Sequence, residues 1–230
     1  MKISEVLNKS IDVVSRNPVI FVPYLVPMVL QLIIGVVWLG QVGRWAGFTP
    51  PRGLMGPEEA MRFWQEMMTS FLPTMGMSFL LGILSWIFVV IATAMAIVIT
   101  LDSLKKRKST LSGAFNMVSD KLIVLIIAIF VVKVLTGLGF CAFIIGAIIV
   151  AILLAFVPQG IVVDGLSFGE TFSKSYNIAK SNFLDVFLVL LVFFVVGVVV
   201  GFVPVIGNVL KPFIGAFATA ALTILYLDRK

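Results

Sequence analysis

From Leu122 to Val163 the chain runs for 42 residues with a single charged side chain, Lys133. A helix needs roughly 20 mostly apolar residues to cross the hydrocarbon core of a bilayer, which is about 30 Å thick. One crossing uses only half of this stretch. It therefore reads as two membrane helices, and Gly137 and Gly139 predict the reversal between them, because paired glycines permit a tight turn. Four further runs of span length occupy 18–40, 76–101, 183–203 and 208–227. The expected fold is all-α: a single membrane domain, 1–230, with six transmembrane helices.

Composition agrees and removes several functions. Apolar residues make up 60% of the chain and charged ones 12%, against about 25% charged in soluble domains. The net charge of +6 is too sparsely carried for a nucleic-acid binder. With no histidine and one cysteine, Cys141, a disulfide framework, a His-ligated metal site and His-dependent nucleophilic catalysis are excluded. Cys141 itself reads as buried packing. No phosphate loop, dinucleotide glycine motif or metalloprotease motif is present, so no cofactor and no enzymatic activity are expected.

Charge placement tests the span count. Twelve of the seventeen basic residues fall before the first span, between the second and third, between the fourth and fifth, or at the end of the chain. Arg44, Arg52 and Arg62 fall on the other side, and Lys133 and Lys211 lie within or beside spans. The positive-inside rule then places both termini in the cytoplasm of a multi-pass cell-membrane protein. The first apolar run is span-length and follows an amphipathic segment, unlike a cleavable signal, so the chain is expected to be mature as written.

Shifting the sequence by 165 residues brings Glu5, Lys9, Ser10 and Asn17 onto Glu170, Lys174, Ser175 and Asn182. A weaker third copy, at 111–125, aligns Phe115 with Leu7 and Phe172. This suggests units of about 1–101, 109–163 and 166–230, each a short amphipathic elbow, a span out and a span back. The predicted apolar stripes are Ile3, Val6, Leu7, Ile11 and Val14 in the first elbow and Phe168, Phe172, Tyr176 and Ala179 in the last. Ser167 and Glu170 form a capping-box pattern, and Glu5/Lys9 and Glu170/Lys174 are spaced for i,i+4 pairing. Such elbows belong at the inner interface, where structural redirection of the chain and a cytoplasmic binding surface are the two readings.

Small residues are expected to bring the spans together: Ala147, Ala151 and Ala155 in the fourth, Gly197 and Gly201 in the fifth, Ala216 and Ala220 in the sixth, and Gly82, Ser85, Ala92 and Ala96 in the second. A dimer face is the other use for Gly197 and Gly201. Pro23, Pro27, Pro158 and Pro212 are expected to kink their helices. The outer loop 41–75 predicts a helix over 57–70 lying on the interface, with Trp38, Trp45 and Trp64 in an aromatic belt.

Intramembrane polar residues are the candidates for function, because they are costly to place there. Lys133 and Lys211 are candidate contacts for an anion or lipid headgroup, set against simple snorkelling. Gln31, Gln159, Asn208 and Thr93 suit interhelical hydrogen bonds, and Asp164 and Asp185 bracket the third elbow at the inner interface. No carboxylate falls at mid-membrane, which argues against proton-coupled transport.

The run Pro158-Gln-Gly-Ile-Val-Val-Asp164-Gly165-Leu-Ser167-Phe-Gly-Glu170, continuing through Ser175 to Lys180-Ser-Asn182, resembles a prokaryotic family of six-span proteins. That family includes the membrane domain fused to some glycerophosphodiester phosphodiesterases. The resemblance implies an accessory membrane module. There is no room here for the phosphodiesterase domain, and no catalytic residues carry over. The leading expectation is a non-enzymatic module that recognises or organises membrane lipids or a partner membrane protein, or acts as a homo-oligomer. The alternative is a small transporter or channel for an anionic or amphiphilic solute.

Overall fold

The computed structural model describes residues 1–46, 56–141, 143–203 and 206–230. Arg52 and the side chains of Arg44, Trp45, Cys141 and Asn208 lie outside the described residues. The described chain is helical, with no strand. Its order is α1 (Ile3–Arg16), a 3-10 helix (Pro18–Tyr24), α2 (Leu25–Ala46), α3 (Pro57–Leu104), α4 (Leu111–Ser119), α5 (Leu122–Cys141), α6 (Phe143–Leu153), α7 (Val157–Asp164), α8 (Phe168–Ser181), α9 (Phe183–Gly201) and α10 (Ile206–Arg229). Six segments are long and apolar enough to cross a membrane: Pro18–Val42, Pro57–Leu104, Leu122–Phe140, Ile144–Asp164, Phe183–Gly201 and Leu210–Arg229. The protein is an all-α polytopic bundle. Because Met1 contacts Asp228 and Arg229, both ends of the chain meet at one face, called here the terminal face.

The second half of α3 is the axis of the bundle. Val90, Ala92, Ala94, Ala96, Ile97 and Ile99 are buried against Ile20 and Tyr24 of the 3-10 helix, Leu125 and Ala128 of α5, Val157 and Ile161 of α7, and Ala216 and Ala220 of α10. A second core gathers Val6 and Val13 of α1, Ile152 and Phe156, Ala179 of α8, Val186 and Val189 of α9, and Ala221, Ile224, Leu225 and Tyr226 of α10. The alanines of α3 and α10 let backbones approach where leucines would hold them apart, which is how helices associate in lipid. The Tyr24 hydroxyl and Thr219 Oγ1 lie 3.3 Å apart inside this contact, and Gln31 Nε2 donates to Ser85 Oγ at 3.1 Å.

Several local expectations are corrected. The α5–α6 reversal does not fall at Gly137 and Gly139, since α5 stays helical through Cys141. Gly139 serves close approach instead: a Cβ there would sit 2.8 Å from the Ala147 backbone. Gly197 and Gly82 meet nothing within 4 Å of an added Cβ, so they do not bring spans of this chain together, whereas the Gly201 Cα would lie 3.1 Å from a Cβ placed on Gly207 and so shares in the α9–α10 approach. Ala147 is buried, whereas Ala151 is only half-buried and Ala155 lies in the break after α6. Pro158 does not kink a continuous span. It sits in the first turn of α7, where its missing N–H costs nothing.

The largest correction concerns 57–70. It is not a separate helix on the membrane surface but the start of α3, which continues through Pro73 for 48 residues. The neighbouring helix supplies the reason. Gln41 of α2 donates to the Ser70 carbonyl at 3.0 Å and to Thr74 Oγ1, and Trp38 stands edge-on to Phe71 at 5.7 Å. With α2 alongside, the segment keeps its axis.

Candidate functional site

The elbows α1 and α8 are built from equivalent residues. Glu5 and Glu170 each occupy the third position of their helix and accept from a backbone amide three residues earlier, Lys2 at 3.2 Å and Ser167 at 3.0 Å. Ser167 Oγ adds a 2.7 Å hydrogen bond to Glu170. That hydroxyl, and then the Ser167 amide, hold the Glu170 carboxyl below its ordinary pKa, because both favour the charged form. Asn17 and Asn182 end the two helices, and each amide Nδ2 reaches back to the carbonyl four residues earlier, Val13 at 3.4 Å and Ile178 at 2.9 Å. Asn17 also donates to Ser103 at 2.8 Å, tying α1 to the end of α3.

The buried face of α8 is Thr171, Ser175 and Ala179, while Phe168 and Tyr176 of the expected aromatic stripe are exposed. On α1 the buried residues are Val6, Ser10, Val13 and Val14, and Ile11 is exposed. The small polar face of α8 answers the break between α6 and α7, which leaves backbone groups without helical partners. Ser175 Oγ donates to the Leu153 carbonyl at 2.9 Å and accepts from the Phe156 amide at 3.1 Å. Thr171 Oγ1 donates to the Val157 carbonyl at 3.0 Å. Gly160 admits this approach, since a Cβ there would overlap Thr171 Oγ1. Ser10 has no such task among the described residues and donates to the Leu7 carbonyl within its own helix.

The i,i+4 pairs expected for the two elbows give way to longer-range contacts. Lys174 turns from Glu170 to Asp164, at 2.6 Å, and among the described residues no ion pair joins Glu5 to Lys9. Asp164 is a hub. It also accepts from Lys230 at 2.8 Å and from the hydroxyl of Tyr226. Gly165 ends α7 beside it at φ 66, the left-handed conformation that favours glycine. Lys121 donates to the Val162 carbonyl in the last turn of α7 at 3.1 Å. Asp185, in the first turn of α9, pairs with Arg229 at 2.9 Å. Tyr226, Lys230, Arg229 and Lys121 thus join Asp164, Asp185 and Lys174 in one polar layer on the terminal face. Only their position just beyond apolar runs could have signalled this in the sequence.

The connection between α3 and α4 supplies a different surface. Lys105, Lys106, Arg107 and Lys108 are all exposed, and no ion pair joins them to a carboxylate among the described residues. Asp102 is occupied by the Ser109 hydroxyl at 2.9 Å and its carbonyl by the Arg107 amide at 2.9 Å. Lys106 takes φ 54, which reverses the chain in few residues. Thr110 Oγ1 then caps α4 by accepting from the Gly113 amide at 3.1 Å.

Lys133 and Lys211 are not brought together. Lys133 is exposed on α5, with its ammonium 5.9 Å from the centre of the Trp86 ring of α3. Lys211 is exposed near the start of α10, whose substantial packing is with α1, α2, α3, α9 and the 3-10 helix rather than with α5. Gln159 is buried, with Oε1 unpaired among the described residues. No group of three or more potential metal ligands occurs among the described residues.

No curated protein and no solved structure matches the chain. Residues 1–226 match the family described as "Domain of unknown function (DUF7847)", and the chain belongs to that family.

Proposed function

We propose that this chain is a non-enzymatic membrane module that recognises anionic lipid headgroups at its terminal face, and that this face lies in the cytoplasm of the cell membrane. The observation that carries the reading is the exposed run Lys105–Lys108, held in a short turn at the end of the axial helix and joined by no ion pair to a carboxylate among the described residues. A cation near an anionic membrane surface gains about 1 kcal/mol, so four together gain on the order of 4 kcal/mol if each contributes independently. The amphipathic elbows support the same reading, as does the sorting of basic residues, twelve on this side against three on the other. The resemblance to a six-span membrane-domain family is compatible with it.

The test replaces all four residues: Lys105→Ser, Lys106→Ser, Arg107→Ser and Lys108→Ser. The wild-type protein, purified from mixed phosphatidylglycerol and phosphatidylcholine micelles, should retain phosphatidylglycerol preferentially and lose it as salt rises. The variant should lose that preference while keeping its thermal stability. Equal headgroup ratios on wild type and variant would overturn the reading.

A further inference from the structure

Lys133 is the single charge between Leu122 and Val163, and it is exposed. Its span, Leu122–Phe140, is mostly uncovered and packs mainly against α6. The ammonium stands 5.9 Å from the centre of the Trp86 ring. An aromatic face attracts a cation, but an indole has no hydrogen-bond acceptor to offer. Among the described residues no carboxylate and no other acceptor reaches Lys133.

Depth decides which anion can meet this charge. The span has 19 residues, about 28 Å at 1.5 Å per residue. Lys133 stands 11 residues after Leu122 and 7 before Phe140, roughly 17 Å and 10 Å from the two ends. Phospholipid headgroups lie outside the hydrocarbon core, and a four-carbon side chain held against Trp86 does not cover that distance. An ion alone at this level is costly, and charges inside membranes pair with one another. The counter-charge therefore belongs to another membrane-embedded helix. The chain's own eleven carboxylates lie in the elbows and connections, in the first ten residues of α3, or in the first or last turn of a span. A second copy of this chain brings none of them to the depth of Lys133.

The surface around Lys133 suits a helix. Phe130, Lys133, Gly137 and Phe140 share one face of α5 and are all exposed. Phe130, edge-on to Trp86, and Phe140 supply apolar contact. A Cβ added at Gly137 meets nothing within 4 Å. Gly137 stands one turn from Lys133, so a neighbouring backbone can come close at the height of the ammonium, as small residues allow in lipid. We propose that this face of α5 docks a transmembrane helix of a different membrane protein, one that carries an aspartate or glutamate at mid-membrane. The carboxylate pairs with Lys133, and the two phenylalanines pack above and below it. The contact is separate from the Lys105–Lys108 surface at the terminal face.

The experiment uses full-length protein in phosphatidylcholine liposomes, with a donor dye at Ser112→Cys in a Cys141→Ala background. The probe is an acceptor-labelled leucine-rich helix of about 20 residues with glutamate at its centre, at mildly alkaline pH. Control peptides carry leucine at the centre, or glutamate near one end. Energy transfer should show the central-glutamate peptide binding about tenfold more tightly than either control, the scale of one polar contact between helices in lipid. Lys133→Met should remove that advantage with thermal stability unchanged, and Lys133→Arg should keep it. Equal binding of the central-glutamate and leucine peptides, or equal binding to wild type and Lys133→Met, would overturn the proposal. Tighter binding of the end-glutamate peptide would also overturn it, by placing the ammonium at headgroup height. So would energy transfer between two copies of the full chain that depends on Lys133. The four-serine variant of Lys105–Lys108 should bind the peptide as wild type does, so loss of headgroup selectivity and loss of helix docking are separable results.

Discussion

Ser10 and Ser175 share one position in the 165-residue echo, yet only Ser175 is bonded across a helix break. Ser175→Ala leaves the Phe156 amide and the Leu153 carbonyl short of a partner in a buried place, at a cost of about 1–3 kcal/mol. Ser10→Ala should cost less than Ser175→Ala, and thermal unfolding of both variants in the same detergent compares them directly. Asp164→Ala strips the buried Tyr226 hydroxyl of its acceptor. The expected loss is again about 1–3 kcal/mol, visible as earlier proteolysis of the α10 end. Glu170 carries the pH dependence of the last elbow. Its carboxyl is held below its ordinary pKa, so its contribution is present above the ordinary glutamate value of about 4.3. The contribution is lost as pH falls through the lowered value. Amide protection in the first turn of α8 should therefore weaken on acidification relative to Glu170→Gln, in which that dependence is absent. The capping residues could be read from sequence because a cap needs only local spacing. The Ser175 and Asp164 contacts could not, because they join residues brought near one another by a break in a span and by the end of the chain.

At the scale of elements, the six spans follow from run length and charge alone, since lipid permits few alternatives to a helix that satisfies its own backbone. What small residues do is less legible. Gly139 and Gly197 look alike in sequence, each a glycine in an apolar run, but only Gly139 faces another backbone. Gly139→Leu should force α5 from α6 and lower the unfolding temperature in detergent, while Gly197→Leu should leave it unchanged. Equal effects would remove this distinction. The 57–70 segment was legible as a helix but not as part of α3. Proline and polar residues mark a boundary when a helix stands alone, and the support from Gln41 and Trp38 comes from a helix whose pairing no short window reveals.

For the whole molecule, sequence reasoning found the polytopic class and the sorted charges, and it placed the chemistry near span ends. It did not find the single 48-residue α3, which depends on which helices support its two halves. It also chose Lys133 and Lys211 for being charged in apolar surroundings, whereas the connected polar residues gather around Asp164. The central position of α3 bears on how the protein is made. The 3-10 helix and α2 precede it, but its partners α5, α7 and α10 follow it in the chain, and α10 supplies Thr219 to Tyr24 and Ala216 and Ala220 to the axial core. During synthesis the early spans must wait in the bilayer with those faces uncovered, as larger chains do before their last contacts form. A nascent chain halted before α10 should therefore be the form most exposed to membrane quality control, and release of the final helix should close the bundle from both sides at once.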